Sequence, residues 1–97
     1  MKLVWTEKAQ RRIGEVLEYI EREFGTKARQ TFIEKTQDFT RILIEFPEMG
    51  TLEIKEKNLR GFQLTNQTRV FYRVKKICII IILTLIDSHQ NPKKRPK

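Results

Sequence analysis

A single cysteine and a single histidine in 97 residues remove several classes of chemistry at once. Cys78 alone makes neither a disulfide framework nor a thiolate metal cluster, and it reads as a small core residue in a chain suited to a reducing cytoplasm. No Cys/His/Asp grouping stands at metal-ligand spacing, so no metal and no cofactor is expected. The four glycines form no phosphate-cradling loop, and Ser88 is the only serine that a nucleophile could come from. The longest apolar run, Ile77 to Ile86, falls far short of the roughly 20 residues that cross a bilayer, so no membrane span is expected. The opening Met1 to Thr6 turns charged at once and shows no apolar h-region, so a secretory leader is not expected either.

What the chain does hold is positive charge, unevenly placed. Residues 1–50 balance nine Lys/Arg against nine Asp/Glu, whereas residues 51–97 carry eleven cations against Glu53, Glu56 and Asp87, which accounts for the whole net charge of +8. Four of those cations sit in the terminal Lys93-Lys94-Arg95-Pro96-Lys97, read as a basic, disordered tail at 93–97. Without them the second half still stands at +4. Such a face implies a polyanionic partner, either nucleic acid or an acidic protein.

The length fits one domain, placed at residues 1–92. Lys2 to Trp5 reads as a first strand, and Thr6 as the N-cap of a helix whose apolar stripe is Ala9, Ile13, Val16, Leu17, Ile20 and Phe24. Gly25 stops that helix and Thr26 is read as capping the next. The second helix carries Ala28, Phe32, Ile33, Phe39, Ile42, Leu43 and Phe46 and ends before Pro47. After Pro47-Glu48-Met49-Gly50 the period becomes that of strands: Thr51 to Thr65, interrupted at Asn58 or Gly61, then Arg69 to Val74, then Ile77 to Ile86. Gly61 inside a strand points to a bulge or a close backbone approach. The last run is apolar at both parities and so predicts an inner strand buried on both faces. The expected fold is α+β, in the order β-α-α-β-β-β, with a helical hairpin on one face of a four-stranded, mainly antiparallel sheet.

The residues with chemistry to offer gather in the sheet half. Cleaving RNA without a metal takes a base for the 2′-OH, an acid for the leaving 5′ oxygen and cations for the phosphorane oxygens. Glu53 can serve as the base, His89 as the acid and Arg69 as the phosphate clamp, with Arg60 or Arg73 assisting and Lys55 and Lys57 as further phosphate contacts. An imidazole titrating near 6.5 suits a general acid at neutral pH. Each group also has an ordinary reading: Glu53 as the ion-pair partner of Lys55 or Lys57, Arg69 and Arg73 as residues on one solvent face of a strand, and His89 as a surface residue. Tyr72 alternates with Val70 and Val74 and is expected in the core.

Taken together, the Val4-Trp5-Thr6-Glu7-Lys8-Ala9 opening, the tight hairpin closed by Phe46-Pro47, the strand Leu59-Arg60-Gly61-Phe62-Gln63-Leu64 and the following Thr68-Arg69-Val70-Phe71-Tyr72-Arg73-Val74 resemble the RelE/ParE superfamily of type II toxins. The resemblance covers nearly the whole chain. It implies a cytoplasmic toxin held by an acidic antitoxin, acting either as a ribosome-dependent mRNA endonuclease of the RelE and YoeB kind or as a ParE-like poison of DNA gyrase. In the YoeB-like branch the working residues are a glutamate before the Gly-aromatic strand, the arginine opening the next strand and a histidine after the last, which fall on Glu53, Arg69 and His89. That motif follows its histidine with an aromatic, whereas Gln90 stands here. The endonuclease is the leading expectation, with gyrase poisoning or a member retaining only antitoxin binding as the alternatives.

Overall fold

The computed structural model describes residues 2–76 and 79–88. Cys78, His89 and the tail at 93–97 therefore lie outside the described residues. The elements are β1 (Lys2–Trp5), α1 (Glu7–Phe24), α2 (Thr26–Glu45), β2 (Thr51–Ile54), β3 (Leu59–Gln63), β4 (Thr68–Lys75) and β5 (Ile79–Asp87). They form one sheet in the order β1-β5-β4-β3-β2, with β1 parallel to β5 and the other neighbours antiparallel. The α+β class, the element order and the hairpin lying on one face agree with the sequence. The strand count does not, because the long run after Thr51 divides: a 3-10 turn at Lys55–Lys57 and a left-handed Asn58 (φ 48°) separate β2 from β3 and make the sheet five-stranded. Asn58 fixes that turn by donating from Nδ2 to the Val74 carbonyl at 2.8 Å.

α1 starts where its sequence says it should. The Thr6 hydroxyl accepts the Ala9 N–H at 3.1 Å, as an N-cap does, and donates to the Leu83 carbonyl at 2.8 Å. That second bond ties the helix start to an irregularity in β5. Partners along β4 jump from Phe71↔Thr84 to Tyr72↔Ile82, which leaves Leu83 unmatched as the extra residue of a bulge. The helices are joined at Gly25, whose φ of 96° favours glycine; its N–H bonds back to Glu21 and its carbonyl accepts from Arg29. Gly25 thus holds the cap position itself, and Thr26 is the first residue of α2 rather than its cap.

The bulge corrects the reading of the last strand. Buried positions are Ile80 and Ile82 before Leu83 but Leu85 and Asp87 after it, so apolar residues at both parities serve one core face. β5 is an inner strand, yet among the described residues no second layer covers its other side, where Ile79 and Ile86 are exposed. The core joins Ala9 and Val16 of α1, Phe32, Phe39 and Leu43 of α2, Val70 and Tyr72 of β4, and Ile80, Ile82 and Leu85 of β5. Thr36 enters it without a sequence signal, its hydroxyl satisfied by the Phe32 carbonyl at 2.9 Å. Phe24, Ile42 and Phe46, read from the sequence as part of the apolar stripes, stay exposed. No described helix is long and apolar enough to cross a membrane.

Candidate functional site on the bare face of the sheet

Alternation along β4 sends Thr68, Val70 and Tyr72 toward the helices and Arg69, Phe71 and Arg73 to the opposite, uncovered face. Register brings Gln63 of β3 beside Arg69 and Gly61 beside Phe71. Gly61 is also paired with Thr51 of β2, so two residues later in β2 Glu53 rises on the same face. There the Glu53 carboxylate accepts a hydrogen bond from the Arg69 guanidinium in an ion pair lying directly over Gly61. A Cβ on Gly61 would meet Arg69 Nη2 and Glu53 Oε2 at 2.8 Å each, so the pair rests against bare backbone. The close approach read from the sequence at Gly61 is present, and the bulge offered as its alternative is not.

Arg69 is aimed from three sides. Besides Glu53, its Nη1 donates to Gln63 Oε1 at 3.3 Å and its Cζ stands 5.8 Å from the centre of the Phe71 ring. Gln63 is itself held, donating to the Thr65 carbonyl at 2.7 Å. The side chains of Arg69 and Glu53 are each about one-third exposed, 30% and 32%. In that setting an ion pair contributes only about 0–1 kcal/mol, so its effect is on orientation more than on stability.

The other cations are arranged differently. Arg73 shares the face of Arg69 but donates from Nε to the Lys57 carbonyl at 2.9 Å, which latches the 3-10 turn to β4. Lys55 and Lys57 stand exposed on that turn. Arg60 is not on this face. Paired with Tyr72, it lies on the helix side of the sheet and donates from Nη1 to two backbone carbonyls, Glu48 O at 3.1 Å and Gly50 O at 2.9 Å. Tyr72 is fully buried as expected, and burial raises its pKa above the ordinary 10.0 while the Gly50 N–H bond and Arg60 pull the other way. The structure therefore brings Glu53 and Arg69 together, sets Arg73, Lys55 and Lys57 at one border, and turns Arg60 away. Sequence reasoning overlooked Gln63 and Phe71; the parity of Arg69 and Phe71 pointed to the second, while the first depends on cross-strand register.

A hollow of about 510 Å³ opens on the other side of the sheet, between the helix hairpin and the ends of β4 and β5. It is lined by Tyr19, Phe24, Phe32 and Lys35 among others, with Thr68 bonded to the buried Asp87 carboxylate at 2.6 Å. Neither Glu53 nor Arg69 lines it. The paired residues lie on the opposite face of the sheet from this hollow. Among the described residues no group of three or more His, Cys, Asp or Glu is placed to hold a metal ion.

The sequence profile of the ParE toxin of the type II toxin–antitoxin system parDE matches residues 3–92, from the first strand to beyond the last. The chain belongs to the ParE toxin family. Membership makes it a toxin of a type II toxin–antitoxin system and implies an antitoxin partner. Solved structures agree on the architecture of this toxin. A chain of the chromosomal ParDE TA system from P. aeruginosa is 19% identical with a TM-score of 0.72, covering 90% of this chain and 95% of that one. A YoeB/ParE toxin from Agrobacterium tumefaciens is 22% identical with a TM-score of 0.63, covering 90% and 98%. At such identities the likeness is one of fold. No curated protein matches the sequence.

Proposed function

We propose that this toxin is a metal-independent endoribonuclease that cuts mRNA in the ribosomal A site. The observation that carries the reading is the carboxylate–guanidinium pair of Glu53 and Arg69 over Gly61 on the uncovered face. An incoming phosphate competes for the Arg69 guanidinium and frees the Glu53 carboxylate to take the 2′-OH proton. Arg69 then follows the charge that grows on the phosphorane oxygens. His89 is the proposed acid for the leaving 5′ oxygen. It lies outside the described residues and follows Ser88, whose N–H bonds the Gln67 carbonyl at 2.8 Å beside the start of β4. Lys55, Lys57 and Arg73 supply phosphate contacts along the border of the face.

The ribosome completes the site. A domain of this size has few groups for holding RNA in an attack geometry, and positioning alone can contribute about 7–11 kcal/mol. The antitoxin is proposed to be acidic, since the whole charge excess lies in the sheet half. The second reading, poisoning of DNA gyrase, is favoured by the family profile itself, which is that of ParE. One experiment separates them. Purified toxin is given translating ribosomes in a primer-extension assay and, in parallel, gyrase in a supercoiling assay. Cleavage of ribosome-bound message, with free RNA nearly untouched and gyrase unaffected, is the expected result; gyrase inhibition without cleavage overturns the nuclease reading.

A further inference from the structure

β2, the strand that carries Glu53, is held less by its own packing than any other element of the site. It is four residues long, exposed throughout, and bonded to β3 alone at the rim of the sheet. Its ladder is irregular between Leu52 and Ile54, at Glu53 itself. Just ahead of it, however, the turn at Pro47 to Gly50 is clasped from below by two side chains. The Tyr72 hydroxyl, on a fully buried ring in the middle of the sheet, accepts the Gly50 N–H at 2.9 Å and donates to the Pro47 carbonyl at 2.9 Å. Arg60 Nη1 reaches the carbonyls of Glu48 and Gly50 at 3.1 and 2.9 Å. Gly50 is pressed so closely into this clasp that a Cβ would stand 2.7 Å from the tyrosine oxygen and 2.8 Å from the Gly61 carbonyl.

From these contacts we infer that Tyr72 and Arg60 are positioning residues, setting through the Gly50 turn where β2 starts and hence where the Glu53 carboxylate meets Arg69. The inference rests on the nuclease reading for its kinetic consequence but not for its geometry. The route is short: Gly50 precedes Glu53 by three residues, Arg60 is the register partner of Leu52, and Gly61, under the ion pair, follows Arg60 directly. The clasp lies on the helix side of the sheet and the ion pair on the bare side, so neither positioning residue can touch a substrate bound over Gly61. The Tyr72 hydroxyl is protonated at neutral pH, as its bond to the Pro47 carbonyl requires, and burial, which raises its pKa above the ordinary 10.0, favours that form further.

The test is a double-mutant cycle. Tyr72→Phe keeps the ring and removes only the clasping oxygen. It is expected to lower kcat for ribosome-bound message about 10- to 100-fold, the effect of a misplacement of about 1 Å, while KM and antitoxin binding stay the same. In a Glu53→Gln background the same change is expected to have no further effect beyond about twofold, because its target is already gone. Arg60→Lys, which keeps the charge but loses the planar fork, carries the cycle should Tyr72→Phe not fold. A loss of equal size in both backgrounds overturns the inference, since a general loosening of the fold would add to the loss of Glu53. An NMR arm separates this from failure of the nuclease reading. The Arg69 side-chain N–H resonances should shift in Tyr72→Phe toward their positions in Glu53→Gln. Unmoved resonances overturn the clasp whatever the toxin cuts, and shifted resonances in a protein that cuts no RNA uphold the clasp while the nuclease reading falls.

Discussion

The two halves of the sheet are built by different means. β5 and β4 lie beneath the helices and, with them, supply every buried apolar side chain of the core among the described residues, while β1 packs the partly buried Leu3 and Trp5 against it. β3 and β2 contribute none of those: β3 meets the core only through the partly buried Phe62, stacked on Phe39 of α2 at 4.8 Å between ring centres, and the two strands are otherwise joined to the rest by backbone ladders and by side chains that bond to backbone, Arg60 to Glu48 and Gly50, Arg73 to Lys57, Asn58 to Val74. The covered half gains its stability from apolar area removed from water. The bare half is placed by directional bonds, each with a modest net effect on stability but a narrow choice of geometry. The candidate site straddles the boundary, with Arg69 on a strand rooted in the core and Glu53 on the strand least supported by it. The fold can therefore tolerate change at the site without coming apart, and a site residue can be lost without losing the molecule.

That separation can be broken, or sharpened, by substitution. The largest effects are expected at the site and on activity alone. His89→Ala should lower single-turnover cleavage about 10²–10⁴-fold, the usual range for a general acid, with ribosome binding nearly unchanged. Arg69→Ala should lower both binding and cleavage, because it meets phosphate in the ground state and in the transition state. Quench-flow cleavage with a parallel binding titration distinguishes the two patterns. A clear loss of thermal stability in either variant would blur the division between the halves.

Next in size are changes to the covered half. Ile82→Ala empties a fully buried position and should destabilise by about 2–5 kcal/mol in urea unfolding. Leu52→Ala, at a β2 residue that is 41% exposed, should stay within about 0.5 kcal/mol. Similar costs for the two would show that β2 shares the core after all.

Why one half was legible in the sequence and the other was not follows from the same division. The helices, the cap of α1, the stop at Gly25 and the inner position of β5 are local or periodic signals, and Thr6, Gly25 and the Ile-rich run announced them, whereas Thr26 was misread as the cap of α2. The covered face of β4 was equally plain, since Val70, Tyr72 and Val74 alternate. What failed to show were properties set by register. The bulge at Leu83 hides in a run that is apolar on either side of it, so one buried face looked like two. An interruption of the long strand was legible at Asn58 or Gly61, and it falls at Asn58 while Gly61 lies inside β3; the 3-10 turn that makes two strands of one was not legible. Glu53 and Arg69 were read as partners in chemistry, and they are partners in space. Arg60 was grouped with them although its parity, opposite to Gly61 beside it, sends it to the helix side.

Smaller effects test the seams. Thr6→Ala removes the cap of α1 and the hydroxyl bonded to the bulge carbonyl, and should cost about 0.5–2 kcal/mol with cleavage intact. The smallest change is confined to strongly alkaline solution. Burial holds the Tyr72 pKa in the folded protein above its ordinary 10.0, so the stability linked to its protonated form is fully present below pH 10 and is lost as pH rises through the folded value. Urea midpoints followed upward from pH 9 should fall in the wild type and fall less steeply in Tyr72→Phe; equal slopes would contradict the buried, clasping role of that hydroxyl.

The central claim is that the Glu53 and Arg69 pair on the bare face is reactive machinery and not a structural ion pair. Single-turnover cleavage of message on translating ribosomes by Glu53→Gln, measured beside its melting temperature and its binding to the antitoxin, tests that most directly. The account predicts cleavage about 10²–10⁴-fold slower with melting and antitoxin binding close to those of the wild type. Cleavage at the wild-type rate, or a slow rate accompanied by an equally large loss of stability, would contradict it.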